Sequence, residues 1–235
     1  MLSKSYIYDD YDVGFNFKFI ERMDDMSFIL LNKTKNDFVM SSDSLSTKTD
    51  PNMPNVHSLR KIYSNMENTL AIGFAGNDAT SYYDKNGKLE KTEYLGTGII
   101  DKYISLYDES NFNNWLNQLI DEIYDFLPDD PNSCQFSQLL IARKLNGNII
   151  AHSCYITKNS AVQMELQKTK YKIPDTVTTY SIGNDWLNYN KEHQFDEIPE
   201  DIDSIISYNQ KEVKRFIDDK NAPSVGGQVF TVYSE

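Results

Sequence analysis

The spacing of apolar residues changes several times along the chain, and each change marks a new element. Over Ser27–Ser44 ("SFILLNKTKNDFVMSSDS") two apolar runs flank a polar stretch at Thr34–Asp37, which predicts two strands around a turn. Residues 45–58 are polar, carry Pro51 and Pro54, and read as a loop. A second hairpin follows, with Lys61–Tyr63, a turn at Asn65–Asn68, and Thr69–Ala75. Its last strand runs through "LAIGFAG" into Asn77-Asp78, a helix-starting pair. A strand that ends in two glycines and becomes a helix crowds backbone N–H groups, and the helix dipole adds positive charge. The corner at Gly73 and Gly76 therefore predicts a place for an anion or a developing oxyanion. The helix expected from Asn77 is interrupted by the Asn86-Gly87 turn signal.

Trp115, Leu116, Leu119, Ile120, Ile123 and Leu127 recur at helical spacing, and Pro128 closes that helix. "SQLLIARKLNGNIIAHSCYIT" predicts a hairpin turning at Asn146-Gly147, and Thr176–Gly183 a further strand. A second helix carries Ile202, Ile205, Ile206, Val213, Phe216 and Ile217 on one face, with Pro199 near its start. The final strand places Val229, Thr231 and Tyr233 on one face and Phe230 and Val232 on the other. Strands, helices, strands, a helix and a last strand predict an α+β fold in which antiparallel sheets are covered by helices. The chain shows no internal repeat and no low-complexity linker, so a single domain is expected.

Composition narrows the function. The 235 residues are 40% apolar, with 16 Tyr and 12 Phe, enough for a substantial core. The net charge of −12, with no long Lys/Arg cluster, argues against nucleic acid or an anionic membrane as partner. The N-terminus has no signal-peptide pattern and no apolar run approaches a membrane span, so a soluble, cytoplasmic protein is expected. Cys134 and Cys154 form no C-x-x-C; they read as two reduced thiols, with one disulfide as the alternative. His57, His152 and His193 lack ligand spacing, and neither metal nor cofactor is expected. His152 and Cys154 face the same side of a strand, but they are not read as a catalytic pair.

"DFVMSSDS", "RKI", "LAIGFAG", "YSIG" and "SVGGQVFTV", in that order, resemble the proteasome-type N-terminal-nucleophile hydrolases over about residues 26–235. The resemblance implies a four-layer αββα sandwich. Active members of that family use the first residue of the mature chain as nucleophile and its α-amino group as general base. An Asp and a Lys downstream support it, and a glycine N–H serves as oxyanion donor. Carried onto this chain, the nucleophile is Ser27, the Asp is Asp43, the Lys is Lys61 and the glycine is Gly73. If active, the chain would be a threonine-peptidase-like hydrolase of peptide or amide bonds with serine in place of threonine. The family also implies a homo-oligomer, a ring or dimer, and a peptide or protein substrate.

The chain departs from the active pattern at several positions. Twenty-six residues precede Ser27, and Met26 stands where self-cleaving members usually carry Gly. Asn184 replaces the Ser that usually follows the "SIG" glycine. Near the C-terminus Ala222 and Val225 hold the places of an Asp and a Ser, an ending like that of noncatalytic α-type subunits. Two readings follow: an unprocessed, noncatalytic subunit, or a hydrolase in which Ser27 is freed by removal of residues 1–26. The aromatic-rich extension 1–26 is then a propeptide or an ordered arm, and 27–235 the domain. In the plainer reading Ser27 is an ordinary strand residue, Asp43 caps a turn, and Gly73 and Gly76 serve close backbone packing.

Overall fold

The structure, a computed structural model, describes residues 27–46, 58–128, 136–158, 160–164, 177–183, 198–219 and 225–234. The extension 1–26, Cys134, His57, His193, Asn184 and Ala222 lie outside them. Two larger antiparallel sheets and a separate hairpin, with helices between and after them, give the expected α+β class.

The first sheet orders its strands β10-β1-β2-β11, with β1 at Phe28–Lys33, β2 at Phe38–Ser42, β10 at Thr178–Gly183 and β11 at Phe230–Tyr233. β1 and β2 are joined by the expected tight turn, where Thr34 N–H donates to the Asp37 carbonyl at 2.8 Å. The second sheet orders β3-β4-β7-β8-β9: Ile62–Ser64, Leu70–Gly76, Phe136–Leu145, Asn148–Thr157 and Ser160–Met164. The β7–β8 turn falls at Asn146-Gly147, both at positive φ, as the dipeptide requires. Strand β9 has no counterpart in the sequence expectation.

β1 is apolar nearly throughout because it is buried on both faces. Phe28 and Leu30 join a cluster with Ile205, Val213 and Phe216 of α3 (Ile202–Asp218). Ile29 and Leu31 join Phe38 and Met40 in a second cluster with Ala71, Ala75, Leu140 and Ala142 of the other sheet. Three alanines of the second sheet thus lie in the same cluster as the large side chains of the first. The opposite face of the second sheet, with Leu70, Ile72, Phe74, Leu139 and Ile141, packs against Trp115, Leu116, Leu119 and Ile123 of α2 (Phe112–Phe126). Asp201 caps α3 by accepting from the Ser204 N–H. No helix of the described residues is long and apolar enough to cross a membrane.

One expectation is corrected. No helix starts at Asn77. Ala79–Tyr83 (β5) and Leu89–Tyr94 (β6) pair as a hairpin, and helical winding begins only at Leu95–Ile100, a π-type segment that runs into α1 (Asp101–Ser105). Thr80, Tyr82, Tyr83, Thr92 and Tyr94 are strand-favouring residues. The Asn86-Gly87 pair, read as an interruption, is the turn of the hairpin. Asp84 Oδ1 accepts from the Asn86 and Lys88 N–H groups there, and Gly87 takes φ of 77°. The corner at Gly76 therefore lacks the helix dipole that the sequence suggested.

Candidate functional site

Asp43 and Lys61 lie 18 residues apart in sequence and meet in the core. β2 delivers Asp43 one residue past its end, and Lys61 immediately precedes β3. Lys61 Nζ is 3.0 Å from each carboxylate oxygen, and the two residues are 1% and 0% exposed. A buried ion pair survives only when its remaining hydrogen-bonding capacity is filled. For Asp43 this is met by backbone: Oδ1 accepts from the Phe28 N–H at 2.9 Å, and Oδ2 from Leu45 and Gly226 N–H, each at 3.1 Å. Lys61 also donates to the Leu45 carbonyl. Burial pulls the Lys61 ammonium below its ordinary pKa, and the facing Asp43 carboxylate works against that pull.

Three distant stretches are tied together at Asp43: the start of β1, the β2–β3 connection and the Gly226-Gly227 segment before β11. Ser44 strengthens the last tie, its N–H donating to the Gly226 carbonyl and its Oγ accepting from Gln228 N–H at 2.6 Å. A second polar contact, Ser46 to Asp78, joins the residues after β2 to those after β4.

Ser27 is half-buried beside this knot, directly before Phe28. Its carbonyl lies against Gly183, where an added Cβ would sit 1.6 Å from the Ser27 oxygen, and Gly183 takes φ of 89°. Both facts require glycine there. Among the described residues, no hydrogen bond links the Ser27 side chain to Asp43 or Lys61. The structure thus joins Asp43 and Lys61, places Ser27 next to them, and leaves its hydroxyl outside the ion pair.

Gly73 sits in the middle of β4, opposite Ile62 of β3 and Leu140 of β7. Phe74 N–H donates to the Lys61 carbonyl at 3.0 Å, so by strand alternation the Gly73 N–H faces β7. An added Cβ would lie 3.0 Å from Ile29 Cγ2 and from Met40 Sδ. Gly73 allows the two sheets to approach closely. Gly76, at φ of 101°, is held against the Phe136 carbonyl.

Sequence reasoning missed the backbone donors of Leu45 and Gly226, because no side-chain motif marks a main-chain N–H. It also missed the surroundings of His152. His152 shares a face with Cys154, a buried free thiol that burial pushes up to about 12. Its hydrogen-bond partner, however, is Arg143, whose Nε lies 3.2 Å from His152 Nε2. A hollow of about 390 Å³ lies between the β5–β6 hairpin and α2, lined by Tyr82, Glu93, Glu122 and Asp125 among others, away from the Asp43–Lys61 pair.

No protein-family model matches the chain, and no curated protein matches it. Among solved structures, the chain is similar to the crystal structure of eukaryotic HslV from Trypanosoma brucei. The likeness has 13% identity and a TM-score of 0.44 and covers 88% of this chain and 99% of that one. It is too loose to bear on the site.

Proposed function

We propose that the chain is a proteasome-like subunit that is unprocessed and noncatalytic, and that it acts in self-assembly or partner binding. The observation that carries this reading is the commitment of Lys61. Its ammonium is held by both Asp43 oxygens and the Leu45 carbonyl, and the Asp43 carboxylate is filled by three backbone donors. The pair ties three segments together without involving the Ser27 hydroxyl. A peptide nitrogen at Ser27 is no base, so the family's nucleophile has no activator while Met26 remains attached. The four-layer αββα arrangement belongs to the same proposal, supported by the three hydrophobic clusters. So does a cytoplasmic location, supported by the reading of Cys134 and Cys154 as reduced thiols.

A second reading, a peptide or amide hydrolase, is favoured by one feature: Asp43 binds the N–H of Phe28, the residue next to Ser27. Cleavage of the Met26–Ser27 bond would then create an amine beside a ready Asp–Lys pair. Gly73 joins this reading only if the β4–β7 ladder opens there, because its N–H faces Leu140. Hydrolysis of fluorogenic peptides by the wild type and by Ser27→Ala decides between the two. The proposed function predicts no turnover above background in either; turnover that disappears in Ser27→Ala would establish the hydrolase.

A further inference from the structure

β5 and β6 form a sheet of two strands that joins neither larger sheet among the described residues. A hairpin of two strands is marginal in water, and β6 is exposed along most of its length. The direction of its free backbone groups follows from its pairing with β5. Leu95 N–H donates to the Asp78 carbonyl at 2.9 Å, one step beyond the Ala79–Tyr94 pair. By alternation, the main-chain groups of Glu93 and Lys91 turn toward β5, and those of Tyr94 and Thr92 turn outward. Among the described residues no strand pairs with that outer edge.

Charged residues on an edge strand ordinarily discourage pairing. Here they select the partner. Two copies of β6 can pair antiparallel only with outward-turned residues opposite each other. One such register sets Thr92 opposite Thr92 of the partner subunit. Lys91 then stands opposite the partner's Glu93, and Glu93 opposite the partner's Lys91. The neighbouring registers set Lys91 opposite the partner's Lys91, or Glu93 opposite the partner's Glu93, and like charges directly opposite each other are unfavourable. In the favoured register these charges fall at non-hydrogen-bonded positions, where side chains come closest. Lys91 and Glu93 are 58% and 43% exposed and already meet at 2.7 Å within one chain, so pairing gathers them into a cluster of four alternating charges. The outward-turned residues of β5, Ala79, Ser81 and Tyr83, carry no charge that would fix a register.

We propose that the outer edge of β6 pairs with the same edge of a second copy of this chain, antiparallel about Thr92, to make one continuous four-stranded sheet. An isologous contact of this kind closes after two chains. It gives the self-assembly proposed above its surface and its partner, and it rests on that reading. It is tested on the full chain by analytical ultracentrifugation, with circular dichroism as the check on folding. The wild type is expected to self-associate. Lys91→Glu and Glu93→Lys each set like charges opposite each other at both pairs, and each is expected to weaken self-association by about tenfold or more. Mixed in equal amounts, the two variants are expected to associate with each other, since each supplies the charge that the other lacks. The contact within each chain stays broken in that mixture, so a merely local role of Lys91 and Glu93 would give no recovery. A wild type that stays monomeric, a Lys91→Glu variant that associates like the wild type, or a mixture no more associated than its components would overturn the interface. Should either charge variant fail to fold, Thr92→Pro decides. It removes an outward N–H and leaves the bonds to β5 in place, and unchanged association there counts against the interface. Association that ignores all these substitutions removes this interface but leaves self-assembly through another surface, so the inference and the reading it rests on fail separately.

Discussion

At the residue scale, the Asp43–Lys61 pair is the most deeply buried ion pair among the described residues, and neither partner has water to fall back on. Removing one side strands a charge in the core, which costs about 3–5 kcal/mol. Lys61→Met, close to lysine in length but uncharged, is expected to lose about that much in urea unfolding. A loss below about 1 kcal/mol, the range of exposed pairs, would show that the pair is not buried as described. His152 gives a pH signature. Its ordinary pKa is 6.5 and its folded value about 4, so between those pH values the unfolded chain binds a proton that the folded chain refuses. Stability attributable to His152 is complete above pH 6.5 and falls on acidification, by up to about 3 kcal/mol at pH 4. Unfolding titrations of wild type and His152→Gln over that range should diverge accordingly; parallel curves would contradict the neutral, buried imidazole.

At the element scale, the sequence offers two readings of Gly73, an oxyanion donor and a glycine for close backbone packing, and its contacts in the fold are those of packing. Its conspicuous place in "LAIGFAG" suggested an oxyanion corner, while in the fold it lets β4 approach Ile29 and Met40. Gly73→Val is therefore expected to destabilise by overpacking, by about 1–3 kcal/mol in chemical denaturation, and a neutral result would refute the close sheet contact. Most strands and both long helices were legible because apolar periodicity records burial directly: β1 and β2 by continuous runs, α2 and α3 by helical spacing. The hairpin β5–β6 was not, because its faces are largely exposed and carry no apolar alternation. There the Asn86-Gly87 turn was the informative signal. Asp43 and Lys61 were legible as a pair through the family pattern, whereas the main-chain donors that satisfy Asp43 depend on the Gly226 segment, nearly the whole chain away. Arg143 and His152 escaped because they meet diagonally across β7 and β8, a relation fixed by register and not by spacing.

At the scale of the whole molecule, the Asp43 knot unites the start of β1, the β2–β3 connection and the segment before β11, so the segment around Ser27 is held from several directions. Under the proposed function such a scaffold serves assembly with Ser27 still linked to Met26; under the alternative it serves hydrolysis only after that bond is cut. The chemical state of one peptide bond thus separates the two functions. The most direct measurement is mass spectrometry of the purified, folded protein, following the peptide that spans Met26–Ser27. The noncatalytic account predicts that this junction stays intact after prolonged incubation of the folded protein. Recovery of a chain that begins at Ser27, lost on Ser27→Ala substitution, would contradict it.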